Sequence, residues 1–126
     1  MSLPPALHEL ESLVMAAVWD QGEATVRSVT DAVAEKVTDG ARSYTTILTV
    51  MTRLDTKGFV TRRREGKRDV YVAAVDRDEY MRARSEVEVD ALVEAYGDLA
   101  LAQFARKFAK LDPAHQRALR RRAKGD

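Results

Sequence analysis

Residues 43–60, SYTTILTVMTRLDTKGFV, constrain this chain more than any other stretch. At 100° per residue, Ile47, Val50, Met51 and Leu54 fall on one helical face. Thr45, Thr49, Thr52 and Thr56 fall on the opposite face, with Thr46 and Arg53 on its flank. Ser43 is placed to cap such a helix and Gly58 to stop it. Tyr44 falls in the first turn, toward the buried side, where it can pack or reach a phosphate. Thr is a mediocre helix former, so an outer face built from it gives up propensity that Glu, Lys or Gln would supply. Contact with DNA gives that loss a reason. Thr can hydrogen-bond to base edges or phosphates and touch a thymine methyl, and Arg can fork onto guanine. Ser43, Tyr44, Thr45, Thr46, Thr49 and Arg53 are therefore candidate DNA contacts, against the plainer expectation of a solvated face.

The flanking segments place this helix in a recognisable order. Leu10, Leu13, Val14, Ala17 and Val18 follow the i, i+3, i+4, i+7, i+8 pattern and predict a first helix over 7–19, ended by Gln21–Gly22. Pro4 and Pro5 discourage helix ahead of it. Thr25 can cap a second helix over 26–37 with Val26, Val29 and Val33 inside, and Asp39–Gly40 signals a turn before Ser43. Residues 59–64 and 67–74 read as two strands, with Glu65–Gly66 as their turn. Three helices and then a hairpin make a winged helix-turn-helix, the hairpin being the wing. Arg62, Arg63, Arg64, Lys67 and Arg68 put five bases into seven positions of that wing, more than edge protection by charge requires. Arg62, Arg64, Lys67 and Arg68 are the candidate phosphate or minor-groove contacts.

The remaining chain is helical. Asp76 and Glu79 can form a capping box for a helix running to about Tyr96 and stopping at Gly97. Asp98 then caps a helix carrying Leu99, Leu101, Phe104, Phe108 and Leu111, and Asp112–Pro113 starts the last one. The expected architecture is mainly α with a small β-hairpin wing: a winged helix-turn-helix DNA-binding domain over 1–75 and a helical dimerisation region over 76–126. Short helices outside the winged core leave apolar faces that a two-fold partner can bury. Tyr96, Leu99, Phe104, Phe108, Leu111 and Leu119 are the candidate homodimer interface.

Composition removes other classes. The 126 residues include no Cys, and His8 and His115 lie at opposite ends, so no metal-ligand spacing exists. No phosphate loop, HExxH or nucleophile elbow occurs, so no catalytic residue, cofactor or enzymatic role is expected. There is no apolar run of spanning length and no signal peptide, which predicts a cytoplasmic protein without direct membrane contact. The net charge is only +1, but it is unevenly spread. Residues 53–68 hold seven bases and two acids, 76–98 three bases and eight acids, and 106–124 eight bases and one acid. The first basic block coincides with the helix and wing described above. Trp19 has no second aromatic near it in sequence and reads as a core residue rather than a stacking platform.

Leu10-Glu11-x-x-Val14-Met15-x-x-Val18-Trp19, Thr25-Val26-Arg27-x-Val29 and the block from Tyr44-Thr45-Thr46-Ile47 through Arg53-Leu54 to Lys57-Gly58-Phe59-Val60 together resemble the BlaI/MecI penicillinase-repressor family. The resemblance spans residues 7–74 and continues more weakly through the tail. It implies a dimeric winged-helix repressor of a palindromic double-stranded operator, joined by its C-terminal helices. It also implies control of antibiotic resistance genes, with release by cleavage in the dimerisation region after a membrane-bound sensor metalloprotease detects β-lactam. Staphylococcal members are cut at an Asn-Phe bond, and by its place before the last helix Gln103–Phe104 is the matching pair. Gln stands here for Asn, and the chain contains no Asn. Related copper-responsive repressors use a Cys-rich tail, which this Cys-free chain lacks. The alternatives are a winged-helix module whose basic wing meets an acidic protein, or a small-molecule-responsive regulator not controlled by proteolysis.

Overall fold

A computed structural model describes residues 6–37 and 42–125; the expected Asp39–Gly40 turn and the prolines Pro4 and Pro5 lie outside them. The elements run α1 (Glu9–Gln21), β1 (Glu23–Ala24), α2 (Val26–Ala34), α3 (Tyr44–Lys57), β2 (Val60–Glu65), β3 (Arg68–Ala73), α4 (Arg77–Tyr96), α5 (Asp98–Ala109) and α6 (Pro113–Ala123). They form two compact units, Met1–Arg84 and Ser85–Asp126, so that α4 belongs to both.

In the first unit the apolar stripes meet as their periods require. Val14, Met15 and Val18 of α1, Val29 and Val33 of α2, and Ile47, Met51 and Leu54 of α3 are fully buried with Phe59 and Tyr71 of the hairpin. Each large aliphatic side chain withdrawn in this way contributes about 1.5–3 kcal/mol. Thr25 Oγ1 accepts the Ser28 N–H at 3.0 Å and Ser28 Oγ accepts the Thr25 N–H at 2.9 Å, a reciprocal cap that starts α2. Ser43 Oγ accepts the Thr46 N–H at 3.1 Å to start α3. Gly58 (φ 88°) ends α3 in the left-handed conformation, donating to Asp55 and Leu54 carbonyls.

The structure departs from the sequence expectations at several ends. α1 is shifted two residues, since Gly22 (φ 77°) is the first position to leave helix and its N–H still reaches Val18 O at 3.0 Å. α2 stops at Ala34, where the Val33 carbonyl takes both the Lys36 and Val37 N–H groups and tightens the chain into a turn. The sheet has three antiparallel strands in the order β1-β3-β2 rather than a bare hairpin. β1 is two residues long, too short for an alternating pattern to reveal it. The wing turns at Gly66–Lys67, not Glu65–Gly66, because Glu65 still pairs with Arg68. Gly66 (φ 62°) takes the first loop position, as a two-residue Gly-first hairpin turn demands.

In the second unit Asp112 accepts the His115 N–H at 2.7 Å with Pro113 at the first helical position of α6. Gln116 Nε2 donates to Phe108 O at 2.9 Å, and the Arg120 guanidinium lies 5.0 Å from the centre of the Phe108 ring, joining α6 to α5. Asp98 is not the cap of α5. Gly97 (φ 59°) holds that position, and Asp98 is the first helical residue, where its charge favours the helix N-terminus.

Candidate nucleic-acid interface

The outer face of α3 is open. Thr45, Thr46, Thr49, Thr52, Arg53 and Thr56 are all exposed. The Ser43 hydroxyl is engaged as the helix cap and lies 3.0 Å from Thr46 Oγ1. Thr49 Oγ1 donates to Thr45 O at 3.0 Å, and Thr56 Oγ1 to Thr52 O at 3.1 Å. With the proton turned into the helix, these oxygens present lone pairs outward and can accept from an adenine or cytosine amino group. Arg53 makes no ion pair or side-chain hydrogen bond among the described residues and keeps its donors for a ligand. Tyr44 is half exposed, which leaves its side chain able both to pack and to reach a phosphate. Leu48, on the flank of the Thr face, is also exposed and went unnoticed in the sequence. An apolar side chain there can meet a thymine methyl.

An ion pair with an enclosed carboxylate and a partly exposed ammonium seats α3 against α1. Glu11 is 1% exposed, and Lys57 Nζ lies 2.8 Å from its Oε2 and 3.1 Å from its Oε1. The His8 backbone N–H donates to Glu11 Oε1 at 3.0 Å. Burial pushes the Glu11 carboxyl up, but the Lys57 ammonium and the His8 N–H outweigh it and hold the pKa below the ordinary glutamate value. The sequence signal for this pair was an acid set into the apolar stripe of α1, three residues before Val14.

The wing is more neutral than its basic run implied. Alternate strand residues share a face, and Arg64 stands opposite Asp69 while Arg62 stands opposite Tyr71. Arg64 NH1 lies 3.4 Å from Asp69 Oδ1, and Arg62 NH1 lies 3.8 Å from Asp69 Oδ2. Arg62 Nε is also 3.7 Å from Asp55 Oδ2 of α3. Tyr71 is fully buried, and among the described residues its hydroxyl has no partner of good hydrogen-bond geometry; burial pushes its pKa up, against a downward pull from the nearby Arg62 guanidinium. On the other face, Arg63 pairs with Glu65 at 2.6 Å and with Glu23 of β1 at 3.0 Å. Lys67 and Arg68 are exposed and have no ion pair among the described residues.

Trp19 packs, as expected of a core residue. Its Nε1 donates to Val75 O at 2.9 Å, and its ring lies 5.9 Å from Tyr80, which meets Phe59 edge-on at 5.4 Å. These contacts anchor the first turn of α4 to the winged unit, helped by Arg77, 3.1 Å from Asp20.

Within the second unit, Leu92, Tyr96, Leu99, Ala100, Gln103, Phe104 and Lys107 line an open groove of about 310 Å³. Three expected interface residues thus come together there: Tyr96 (63% exposed), Leu99 (73%) and Phe104 (39%). Phe108, Leu111 and Leu119 are half-buried in the same unit. Gln103 and Phe104 lie within the continuous helix α5. Among the described residues no group of side chains could hold a metal ion, and no helix is long and apolar enough to cross a membrane.

The family model for the penicillinase repressor matches residues 7–124. Among solved structures, the DNA-binding domain of the repressor BlaI is 28% identical with a TM-score of 0.52, covering 64% of this chain and 94% of that one. The monomeric form of Bacillus licheniformis BlaI in complex with the blaP half-operator is also 28% identical, with a TM-score of 0.51 and the same coverage of both chains. No curated protein sequence matches.

Proposed function

We propose that this chain, which belongs to the penicillinase repressor family, is a DNA-binding transcriptional repressor that holds a palindromic operator as a homodimer and has no enzymatic role. The observation that carries the proposal is the open Thr and Arg face of α3, seated by the Glu11–Lys57 ion pair beside a wing whose Lys67 and Arg68 have no ion pair among the described residues. The half-operator complex of the similar B. licheniformis BlaI supports it.

In this reading Thr45, Thr46, Thr49 and Arg53 enter the major groove, and Ser43 and Tyr44 set the helix start against the backbone. Lys67 and Arg68 are the ready phosphate contacts, and Arg62 and Arg64 join them once their carboxylate partners are displaced. Residues 1–75 read DNA and 76–126 join two copies, with half-sites about one helical turn, ~34–36 Å, apart. Tyr96, Leu99, Phe104, Phe108, Leu111 and Leu119 form the joint. The protein works in the cytoplasm on resistance genes. Cleavage at Gln103–Phe104, under a membrane-bound sensor metalloprotease, would detach α6 and the end of α5 and remove the second half-site. That bond lies inside α5, so the helix must open locally before a protease can reach it.

The test is a gel shift with fragments of the source genome over a salt series. Arg53→Ala and Thr49→Ala are each expected to weaken the tightest complex by about 5–150-fold, the loss of one good base contact at ~1–3 kcal/mol. Lys67→Ala and Arg68→Ala are expected to weaken all fragments alike and to flatten the salt slope by about 0.9 each. The proposal fails if no fragment is bound at low salt, or if neither α3 substitution weakens binding.

A further inference from the structure

We propose that Asp69 is a positioning residue that sets the wing's discrimination between operator and non-operator DNA, acting through Arg62 and Arg64. The inference rests on the DNA-binding reading above. Arg62 and Arg64 are two residues apart on β2 and so share a face, and Asp69 of β3 faces them from across the hairpin. Its two oxygens are divided between them, Oδ1 toward Arg64 at 3.4 Å and Oδ2 toward Arg62 at 3.8 Å. Asp55 adds a second carboxylate, 3.7 Å from Arg62. Two carboxylates against two guanidiniums leave this face of the wing close to neutral, while Lys67 and Arg68 stay uncompensated.

The consequence follows from what each kind of binding uses. Non-specific affinity comes almost wholly from phosphate neutralisation. A guanidinium already holding a carboxylate adds little to it, because the ion pair must be exchanged for each phosphate. At 3.4–3.8 Å and half exposed, these pairs are weak enough to exchange. They bias the arginines without locking them. The exchange is favoured where the DNA offers a deep negative potential, as in a narrow minor groove. Asp69 therefore costs the protein contacts on arbitrary DNA and returns them on a site of the right shape. Arg64 also donates from Nε to Gly66 O at 3.2 Å, which holds its side chain along the wing tip.

The experiment compares full-length wild type and Asp69→Asn on the tightest genomic fragment and on a mixed-sequence duplex, each over a salt series. Asp69→Asn is expected to tighten the mixed-sequence complex severalfold at low salt and to steepen its salt slope by about 0.9, one further phosphate contact, because Asp55 still holds Arg62. Affinity for the selected fragment should rise less, so the ratio between the two falls. Asp55→Asn should act in the same direction through Arg62 alone, adding up to ~0.9 to the slope. In an Arg62→Ala/Arg64→Ala background the effect of Asp69→Asn should vanish. Persistence of the gain in that background means Asp69 acts as bulk charge, and the inference is overturned. It is also overturned if Asp69→Asn leaves ratio and slope unchanged while the wild type still selects its fragment. If the wild type binds neither DNA, the DNA-binding reading falls and this inference with it.

Discussion

If two copies join through the α5 groove as proposed, Leu99→Asp is expected to leave the protein monomeric and to weaken full-operator binding by about 10²-fold or more, while affinity for a half-operator stays within a factor of two or three. Leu99 is 73% exposed and lies at the edge of the groove formed with Tyr96 and Phe104. It supports its own unit little, so a change there costs the monomer no more than roughly 0.5 kcal/mol. Asp is also well suited to the first turn of α5, where a negative charge complements the helix N-terminus. In a two-fold interface the same substitution occurs twice, and two carboxylates enter an apolar joint without partners. Loss of linkage between half-sites removes an avidity advantage of about 10²–10⁴. Analytical ultracentrifugation reads the first effect, and gel shifts on whole and half operators read the second. A Leu99→Asp protein that stays dimeric would remove this face from the interface. A monomer that holds the whole operator as tightly as the wild type would remove dimerisation from the mechanism.

The winged order was legible because its signals are local. Ser43, Thr25, Gly22 and Gly58 mark helix ends through hydrogen bonds or backbone angles within four residues of themselves, and the valine and leucine stripes repeat at 3.6. The parts that escaped are those made by partners distant in sequence. Glu11 and Lys57 are 46 positions apart and meet only because α1 packs on α3. Likewise 62–68 read as a block of positive charge, since a linear count cannot see that antiparallel register sets Asp69 opposite Arg64 or that β1 brings Glu23 to Arg63. β1 itself is held by pairing with β3, not by any pattern in its two residues.

Glu11→Gln is expected to destabilise the winged unit by about 1.5–3 kcal/mol at neutral pH, the loss of hydrogen bonds to a charged group. The full cost of breaking a buried pair does not apply, because the Lys57 side chain is 27% exposed and its ammonium recovers water. The effect should depend on pH with a definite sign. Glu11 titrates below the ordinary glutamate value of 4.5 in the folded protein, so in acid the unfolded chain takes up its proton first. Its contribution is therefore complete above that ordinary value and is lost as pH falls through it toward the depressed folded pKa. Denaturant unfolding of wild type and Glu11→Gln should differ most at pH 7, and the gap should narrow as pH falls through the ordinary glutamate value. Equal stability at pH 7, or a gap that does not narrow in acid, would show that the pair carries no such load. Glu11→Leu with Lys57→Met should regain most of the lost stability, since a matched apolar pair avoids desolvating either charge. DNA binding then separates packing from charge. Lys57 is in the last turn of α3 and Glu11 anchors it, so Glu11→Gln should loosen the end of the helix nearest the wing. The double variant, with α3 reseated, should bind its operator with an unchanged salt slope, because Lys57 in the wild type is turned inward to Glu11 and not toward phosphate.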